Sequence, residues 1–363
     1  MKLEQVITIT GIRPDFIRMS EVFKKLDANF EHVMIHTGQH YNTELSQVFF
    51  EDLDIRKPDY TLSTGKASAH QYEQLSYLST ELPRLIKEKG LHPDMILFLG
   101  DSNSVLASLP LFKEGYRIGH IEGGMRSYDR RMFEEVNRVV CDYVSDQVFV
   151  YTPLYKERLL KENKPSEQIH VVGNTLVEVI RRFFPIESRG VRTKEYILAD
   201  LHRNEILSDP AKFLYLLKFL SILSNEFGLP VKLVKFPRAE KLIKDHDLLN
   251  GLGGIELVGP YGFLEYLDLQ YNAVGVVSDS GSCQEECPLI GVPVVVPRDF
   301  TERPESVNTG CSLLIGENKT FTRMINNTMQ FFSNYKVEDV DIEWLGNGTT
   351  SQQIINILNE QYS

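Results

Sequence analysis

VITITGIRPDFIRMSEVFKKLDANFEHVMIHTG, residues 6–38, contains the pattern that decides the fold. Two β-branched runs, VITIT (6–10) and HVMIHTG (32–38), flank a segment whose apolar residues recur every three to four positions. A strand, an amphipathic helix and a second strand in this order predict a βαβ unit of a parallel sheet. The strands are almost continuously hydrophobic, as expected where helices cover both faces of the sheet.

The alternation of strand and helix patterns continues in two blocks. Further strand patterns of the first block are MILFLG (95–100), IGHIEG (118–123) and DQVFVYT (146–152). After VVGNT (171–175) and a polar segment, the alternation restarts with YILADL (196–201), VKLVKF (231–236), IELVG (255–259), AVGVVSDSG (273–281) and VPVVVP (292–297). We therefore predict an α/β protein with two Rossmann-like, doubly wound domains, which a length of 363 residues also favours.

The domain boundary is expected in the polar segment between the two blocks. We predict a first domain over residues 1–175 and a second over residues 176–346. A last helical pattern, TTSQQIINILNEQY (349–362), could pack on either domain. Because ligands bind beyond the carboxyl ends of parallel strands, we expect the two domains to face each other across a ligand-binding cleft.

Composition and charge exclude several classes of protein. The net charge of -11 argues against a nucleic-acid partner, and no apolar run approaches the roughly 20 residues of a membrane span. The N-terminal sequence lacks the apolar stretch of a signal peptide, so we expect a cytoplasmic protein. Four cysteines (Cys141, Cys283, Cys287 and Cys311) form no CxxC pair, which favours reduced thiols over disulfides or a zinc site.

Two turns that follow predicted strands are candidate phosphate sites. Gly11 and Pro14 place Arg13 and Arg18 near a helix N-terminus, where anions bind, although an ordinary strand-to-helix turn explains them equally well. In SDSGSCQEE (278–286), a turn of small residues offers backbone amides to a pyrophosphate, and the first turn of the following helix carries Glu286, suited to ribose hydroxyls. A capped helix with solvated glutamates is the alternative. The small residues of this turn are Ser280, Gly281 and Ser282.

A second group of arginines and a group of carboxylates also follow predicted strands. In PRDFTERPE (297–305), Arg298 and Arg303 offer forked donors to phosphate, or form a surface loop of salt bridges. Asp101, Glu122 and Glu134 could converge on one pocket and act as general acids or bases. A magnesium site is the second interpretation. The positive charge of Arg126, Arg130 and Arg131 argues against it.

Together, these segments resemble the non-hydrolysing UDP-N-acetylglucosamine 2-epimerase family, in the family's order and over nearly the whole chain. The motifs that carry the resemblance are GIRPDFIRMS, HTGQHYN, GDSNS, HIEGGMRSYDRRMFEEVNR, VVGNT, LHRNE, SDSGSCQEE and RDFTERPE. The resemblance implies the glycosyltransferase-B architecture, a homodimer, and a C-terminal helix (347–363) that returns to the first domain. It also implies a reaction without metal or NAD, in which UDP leaves to give a 2-acetamidoglucal and re-adds after reprotonation at C2.

Site residues are carried over from the family by matching motif positions. The resemblance implies acid/base roles for Asp101, Glu122 and Glu134, a supporting role for Arg138, and diphosphate contacts for Arg13 and Arg18, the latter usually lysine in the family. His202, Arg203 and Glu205 match the HRxE motif, and Tyr266 matches an aromatic residue near the uracil. The nucleotide-binding set corresponds to Ser280, Gly281, Ser282, Glu286 and Arg303.

Two positions depart from the family pattern, and the identity of the sugar stays open. Phe236 stands where the family typically has a histidine, and Phe133 stands where a proline normally precedes the paired glutamates. UDP-N-acetylglucosamine is the expected substrate, with a UDP-2-acetamido-2,6-dideoxy-L-hexose as the alternative. A glycosyltransferase, a hydrolysing relative and a non-catalytic UDP-sugar-binding protein are further alternatives. Gln39 fits a region of allosteric control in some relatives, and Asn42 leaves the presence of such control open.

Overall fold

The computed structural model describes residues 3–38, 47–67, 70–316 and 320–361, which form two compact units. The first unit comprises Met1–Phe183 and Trp344–Ser363, and the second comprises Phe184–Glu343. The division after Phe183 lies at the end of a helix that the sequence-based boundary at residue 175 would have placed in the second domain. This helix belongs to the first unit because its apolar residues, Leu176, Val177, Val179 and Ile180, are buried there.

A parallel seven-stranded sheet forms the centre of the first unit, in the order β3-β2-β1-β4-β5-β6-β7. Its strands are β1 (Gln5–Thr10), β2 (Glu31–His36), β3 (Tyr60–Thr61), β4 (Met95–Leu99), β5 (Ile118–Gly123), β6 (Gln147–Val150) and β7 (Ile169–Val171). The connecting helices are α1 (Arg13–Asn29), α2 (Gln47–Asp52), α3 (Thr64–Ala67), α4 (Gln71–Glu88), α5 (Ser108–Lys113), α6 (Phe133–Val144), α7 (Pro153–Lys161) and α8 (Thr175–Phe183). Ile7, Ile9 and Phe98 of the central strands pack in one core with Leu78 and Leu82 of α4.

A parallel six-stranded sheet forms the centre of the second unit, in the order β10-β9-β8-β11-β12-β13. Its strands are β8 (Ile197–Asp200), β9 (Val231–Val234), β10 (Ile255–Val258), β11 (Val276–Ser278), β12 (Val294–Val296) and β13 (Ser312–Leu314). Its helices are α9 (Asn204–Leu207), α10 (Pro210–Phe227), α11 (Pro237–His246), α12 (Phe263–Asn272), α13 (Cys283–Leu289), α14 (Pro304–Asn308) and α15 (Phe321–Asn334). Helix α10 supplies Phe213, Leu217 and Leu220 to the core of this unit.

The last helix, α16 (Thr350–Gln361), packs on the first unit against α1 and α8. Short 3-10 helices cover Asn103–Ala107, Ser166–Gln168, Ile186–Ser188, Val337–Asp339 and Glu343–Leu345. Among the described helices, none has both the length and the apolar character to cross a bilayer.

Strand order confirms the doubly wound α/β prediction for both units. In each sheet the order reverses at a central pair of strands, β1 and β4 in the first unit and β8 and β11 in the second. Ligands of open parallel sheets bind beyond the carboxyl ends of strands at this switch point. The loop after β4 contains Asp101, the loop after β8 contains His202 and Arg203, and the loop after β11 contains Ser280, Gly281 and Ser282.

Candidate active site

Two carboxylates lie at the carboxyl ends of neighbouring strands in the first unit. Asp101 follows β4 after Gly100, and Glu122 lies near the end of β5, where the pairing with β6 shifts by a β-bulge. The backbone of Glu122 has a φ of 73°, a left-handed conformation that is costly for a residue with a side chain. Such strain at a bulge re-aims the side chain and is concentrated at functional sites.

Glu122 forms a buried cluster with a cation and a phenol. Its Oε2 atom lies 3.0 Å from Nη2 of Arg18 and accepts a hydrogen bond of 3.0 Å from the hydroxyl of Tyr151. Arg18 also donates to the Tyr151 hydroxyl at 2.7 Å. All three side chains are buried, so the ion pair acts in a medium of low dielectric constant. Tyr151, at the end of the next strand, was not singled out from the sequence.

Asp15 is a second buried acid that sequence reasoning missed. One carboxylate oxygen accepts hydrogen bonds from the backbone N–H of Gly11 at 2.6 Å and of Ile12 at 3.1 Å, which closes the first turn of α1. Burial raises the pKa of Asp15 to about 7, and the negative charges of Asp101 and Glu122 add to this effect. Asp15 therefore belongs to the same electrostatic cluster as the two predicted acids.

The two adjacent glutamates at the start of α6 have different surroundings. Glu135 is buried, accepts hydrogen bonds from the backbone N–H of Ser127 and Tyr128, and lies 3.1 Å from Nη1 of Arg138. Arg138, only 1 % exposed, also pairs with the carboxylate of Asp101. Glu134 lies half-buried beside them. Glu135 thus stabilises the loop and Arg138.

The arginines near the acidic cluster differ in their partners. Arg126 is buried and pairs with Asp142 at 2.7 Å, and Arg131 is exposed and pairs with Asp129 at 2.6 Å. The arginines in contact with the predicted acids are instead Arg18 and Arg138. Arg126 thus neutralises Asp142, and the cations beside Glu122 and Asp101 come from α1 and α6.

Arg13 lies at the first position of α1, half-buried, with its guanidinium 4.7 Å from the ring centre of Phe49. Burial lowers the pKa of Arg13, and nearby Asp52 opposes this shift. The adjacent turn needs glycine, because a Cβ atom on Gly11 would collide with the hydroxyl of Ser104. Gln39 and Asn42 lie outside the described residues.

In the second unit, His202 follows β8 and is held by two carboxylates. Its Nδ1 atom lies 2.7 Å from Asp200 and 3.3 Å from Asp279. Burial opposes the charged imidazole, but Asp279 and Asp200 outweigh burial and raise the pKa of His202. The ring of Phe236 packs on the imidazole with 4.8 Å between ring centres. The side chain of His202 remains 31 % exposed, so its Nε2 atom can reach a ligand.

A hydrogen-bonded network connects Tyr266 to His202 through Asp200 and extends to Glu286. The hydroxyl of Tyr266 donates to Asp200 at 2.6 Å, and burial together with Asp200 raises its pKa. The side-chain amide of Gln270, a residue not singled out from the sequence, donates to Glu286 at 2.7 Å. The hydroxyl of Tyr266 therefore orients Asp200, and the aromatic ring is the part of Tyr266 that corresponds to the position near the uracil implied by the resemblance.

The turn after β11 packs tightly against an arginine of the next loop. A Cβ atom on Gly281 would collide with the guanidinium of Arg303, which pairs with Glu302 and lies 2.6 Å from Glu285. The hydroxyls of Ser280 and Ser282 lie 3.1 Å apart at the start of α13. Glycine at position 281 is thus required by the close approach of Arg303 to the turn.

Arg298 and Arg203, two further arginines of the candidate site, also have carboxylate partners. Arg298 lies 3.1 Å from Glu205, and Arg203 lies 3.8 Å from Glu302. Arg298, Glu302 and Arg303 are buried, so the surface-loop interpretation of PRDFTERPE is wrong. Buried ion pairs of this kind orient guanidinium groups, which can then bind phosphate with geometric specificity.

One group within the described residues has the geometry to hold a metal ion, namely Asp200, His202 and Asp279. Its ligand atoms already have protein partners. Asp279 accepts from the backbone N–H of His202 and Arg203, and Asp200 accepts from Tyr266 and His202. The donors around these carboxylates favour a hydrogen-bonded dyad with His202 over a metal site.

Comparison with known proteins identifies the family. A profile described as UDP-N-acetylglucosamine 2-epimerase matches residues 24–359. A UDP-N-acetylglucosamine 2-epimerase of Methanococcus maripaludis is 36% identical over 85% of this chain and 87% of its own length. A UDP-2,3-diacetamido-2,3-dideoxy-D-glucuronate 2-epimerase of Pseudomonas aeruginosa is 34% identical over 86% of this chain and 88% of its own.

A solved structure supports the same assignment over both units. The Methanocaldococcus jannaschii UDP-GlcNAc 2-epimerase, crystallised in complex with UDP-GlcNAc and UDP, matches with a TM-score of 0.89 and 31% identity. The match covers 98% of this chain and 99% of that one. The two Rossmann-like units are those of the glycosyltransferase-B fold, and the chain belongs to the UDP-N-acetylglucosamine 2-epimerase family.

Proposed function

We propose that this protein interconverts UDP-N-acetylglucosamine and UDP-N-acetylmannosamine by inverting C2 of the sugar. The observation that carries the proposal is the cluster of the buried acids Asp15 and Glu122 with the half-buried Asp101, beside Arg18 and Arg138 at the switch point of the first sheet. Carboxylates in a desolvated site are competent acids and bases, and adjacent cations keep some of them ionised. Epimerisation at a carbon needs such groups, because one proton is removed and another is added.

The proposed reaction proceeds by elimination and re-addition of UDP. A carboxylate removes the C2 proton, and the C1–O bond breaks with its electron pair moving to the β-phosphate oxygen, which leaves 2-acetamidoglucal and UDP. A proton is then delivered to the opposite face of C2 while UDP re-adds at C1. Asp101, Glu122 and Glu134 are the acids and bases of this scheme, and Arg138 orients Asp101.

UDP binding is assigned mainly to the second unit. The turn with Ser280, Gly281 and Ser282 offers backbone amides to the diphosphate, and Arg303 is oriented next to it by Glu285 and Glu302. Glu286 is placed for the ribose hydroxyls, and the ring of Tyr266 for the uracil. Despite burial, Asp279 and Asp200 raise the pKa of His202, and the imidazolium form of this partly exposed side chain can stabilise negative charge on the departing phosphate. Arg203 and Glu205 complete the motif around it.

The identity of the sugar can be tested by direct comparison of candidate substrates. One relative of similar identity is named for a 2,3-diacetamido-2,3-dideoxy-D-glucuronate, which differs from N-acetylglucosamine away from C2. We therefore retain a second candidate, epimerisation of a UDP-2-acetamido-2,6-dideoxy-L-hexose, which needs the same chemistry at C2. Phe236 stands where the family typically has a histidine, and its ring packs on His202. It is therefore a candidate determinant of substrate specificity.

We also propose that the protein is a cytoplasmic homodimer. Helices α5 and α6 contact each other and expose large apolar side chains. These are Leu109 and Phe112 of α5 with Phe133, Val136, Val139 and Tyr143 of α6. Exposed apolar patches of this kind typically mark protein interfaces. Sedimentation should give twice the mass of 41.7 kDa, and Val136→Glu should yield the monomer; a monomeric wild-type protein would reject the dimer.

Incubation with each candidate UDP-sugar in deuterated water tests the function. We expect deuterium at C2 in both epimers and a constant amount of UDP-sugar, followed by NMR. Free UDP accumulating in step with free sugar would identify a hydrolase, and a requirement for an acceptor would identify a glycosyltransferase. Binding of UDP without C2 exchange on any candidate would leave a non-catalytic binding protein.

A further inference from the structure

His120 lies in the middle of β5, two residues before Glu122, and is completely buried. Its Nε2 atom lies 2.8 Å from the carbonyl oxygen of Gly100, the residue before Asp101. Its Nδ1 atom lies 2.7 Å from Oδ1 of Asp142 on α6. The imidazole thus contacts the backbone of the loop that carries Asp101 and the side chain of Asp142 on α6.

Both partners of this imidazole accept hydrogen bonds. A backbone carbonyl has no proton to donate, and Asp142 is kept ionised by further donors, since its Oδ2 atom accepts from Nη1 of Arg126 at 2.7 Å and from the backbone N–H of Gly124 at 3.0 Å. Each ring nitrogen must therefore carry a proton, which makes His120 an imidazolium. Burial opposes this charge, but Cys141 and Asp142, the titratable groups that face the ring, outweigh burial and raise the pKa of His120.

The network reaches the loops of both acids. His120 contacts Gly100 in the loop that carries Asp101. Asp142 accepts a hydrogen bond from Gly124, two residues after Glu122. Gly123 permits the approach of α6, because a Cβ atom there would lie 2.6 Å from Oδ1 of Asp142. Arg126 is itself anchored by Glu162 at 2.6 Å. These contacts fix the separation of the two loops. The network consists of ionised groups, and it is rigid only while each of its hydrogen bonds is formed.

We propose that His120, Asp142 and Arg126 form a positioning unit that sets the spacing of Asp101 and Glu122 for proton transfer, with the doubly protonated His120 as its central link. The inference rests on the proposed function, because the spacing matters only for the chemistry at C2. Misplacement of a reacting group by about 1 Å costs on the order of a hundredfold in rate, so small movements of these loops should be visible in turnover.

The test uses His120→Gln and Asp142→Asn in the full-length protein, with His92→Gln, an exposed histidine of the same unit, as control. We expect His120→Gln to lower kcat by about ten to a hundredfold while KM and the UDP dissociation constant change by less than about threefold. His92→Gln should match the wild type in all three quantities. Wild-type kcat in His120→Gln would overturn the proposal.

Two readouts separate positioning from a general loss of stability. Nitrogen NMR of the wild type should show both ring nitrogens of His120 protonated at pH 7.5, and a neutral ring would overturn the proposal even if the variants fail to fold. In Asp142→Asn the pKa of His120 should fall, so the alkaline limb of the kcat profile should move to lower pH; a limb that stays in place counts against the network. A wild-type protein without C2 exchange would contradict the proposed function, whereas exchange that His120→Gln leaves unchanged contradicts only the positioning unit.

Discussion

Nη2 of Arg18 lies 3.0 Å from Oε2 of Glu122, and both groups are buried with the hydroxyl of Tyr151 between them. The arginine expected at the diphosphate is therefore also the counter-ion of a predicted acid. An Arg18 side chain that contacts both the diphosphate and Glu122 would couple binding of the negatively charged substrate to the charge state of Glu122.

Arg18→Gln should destabilise the first unit and reduce turnover. Removing one partner of a buried ion pair costs about 3 to 5 kcal/mol, because the remaining charge stays buried. Arg182→Gln, which removes an exposed pair with Glu21 and Asp54, should cost less than about 1 kcal/mol. Urea unfolding followed by fluorescence of the single tryptophan, Trp344 in the first unit, measures both. Equal losses in the two variants would contradict the burial argument.

Glu134→Gln should reduce turnover, and Glu135→Gln should reduce stability. We expect Glu134→Gln to fold like the wild type and to lose at least about a hundredfold in turnover, the usual scale for a general acid or base. Glu135→Gln should lose stability, since its buried carboxylate binds two backbone N–H groups and Arg138. Turnover with thermal unfolding distinguishes the two residues. An active, stable Glu134→Gln would remove Glu134 from the chemistry.

Asp15 should make stability depend on pH in a defined direction. Because its folded pKa is raised to about 7 from the usual 3.8, its contribution to stability is complete at low pH and is lost as pH rises through 7. Asp15→Asn does not titrate, so its stability relative to the wild type should increase by about 2 to 3 kcal/mol between pH 5 and pH 7 and then level off. Urea unfolding at pH 5, 6, 7 and 8 measures this. A pH-independent difference would show that Asp15 is ionised throughout.

Gly281→Ala should weaken UDP binding. The added methyl group must displace the guanidinium of Arg303 from the turn, and a lost charge-assisted contact is worth about 1.5 to 3 kcal/mol, or about ten to a hundredfold in affinity. Gly253→Ala is the matched control, because a Cβ atom there meets nothing within 4 Å. Calorimetric titration with UDP compares the two variants. The same affinity in both would place the diphosphate away from this turn, and Arg303→Ala should weaken binding to a similar extent.

Chelation should leave activity unchanged. The oxygens of Asp200 and Asp279 accept hydrogen bonds from His202, Arg203 and Tyr266, so a cation would have to break these contacts before binding. Turnover is measured before and after treatment with EDTA, without an added nicotinamide cofactor. Loss of activity that magnesium restores would reveal a metal site at one of the carboxylate groups.

Local patterns in the sequence were sufficient to predict the architecture. The runs VITIT, MILFLG and VPVVVP coincide with β1, β4 and β12, because strand formation in a covered parallel sheet depends on short continuous apolar segments. The glycine turns and acids at their ends were predicted for the same reason, since the residue after a strand lies at the carboxyl edge of the sheet. The motifs also carried the resemblance that the comparisons confirmed.

Only the tertiary structure decided which of these polar residues interact. Arg18 and Tyr151 are 133 residues apart, and His120 and Asp142 are 22 apart on a strand and a helix. Their contacts depend on strand order and helix packing, which no local pattern contains. For the same reason the sequence could not single out Asp15 or show that Glu135 is buried, because burial, and with it the pKa of a carboxyl group, is set by residues distant in the chain.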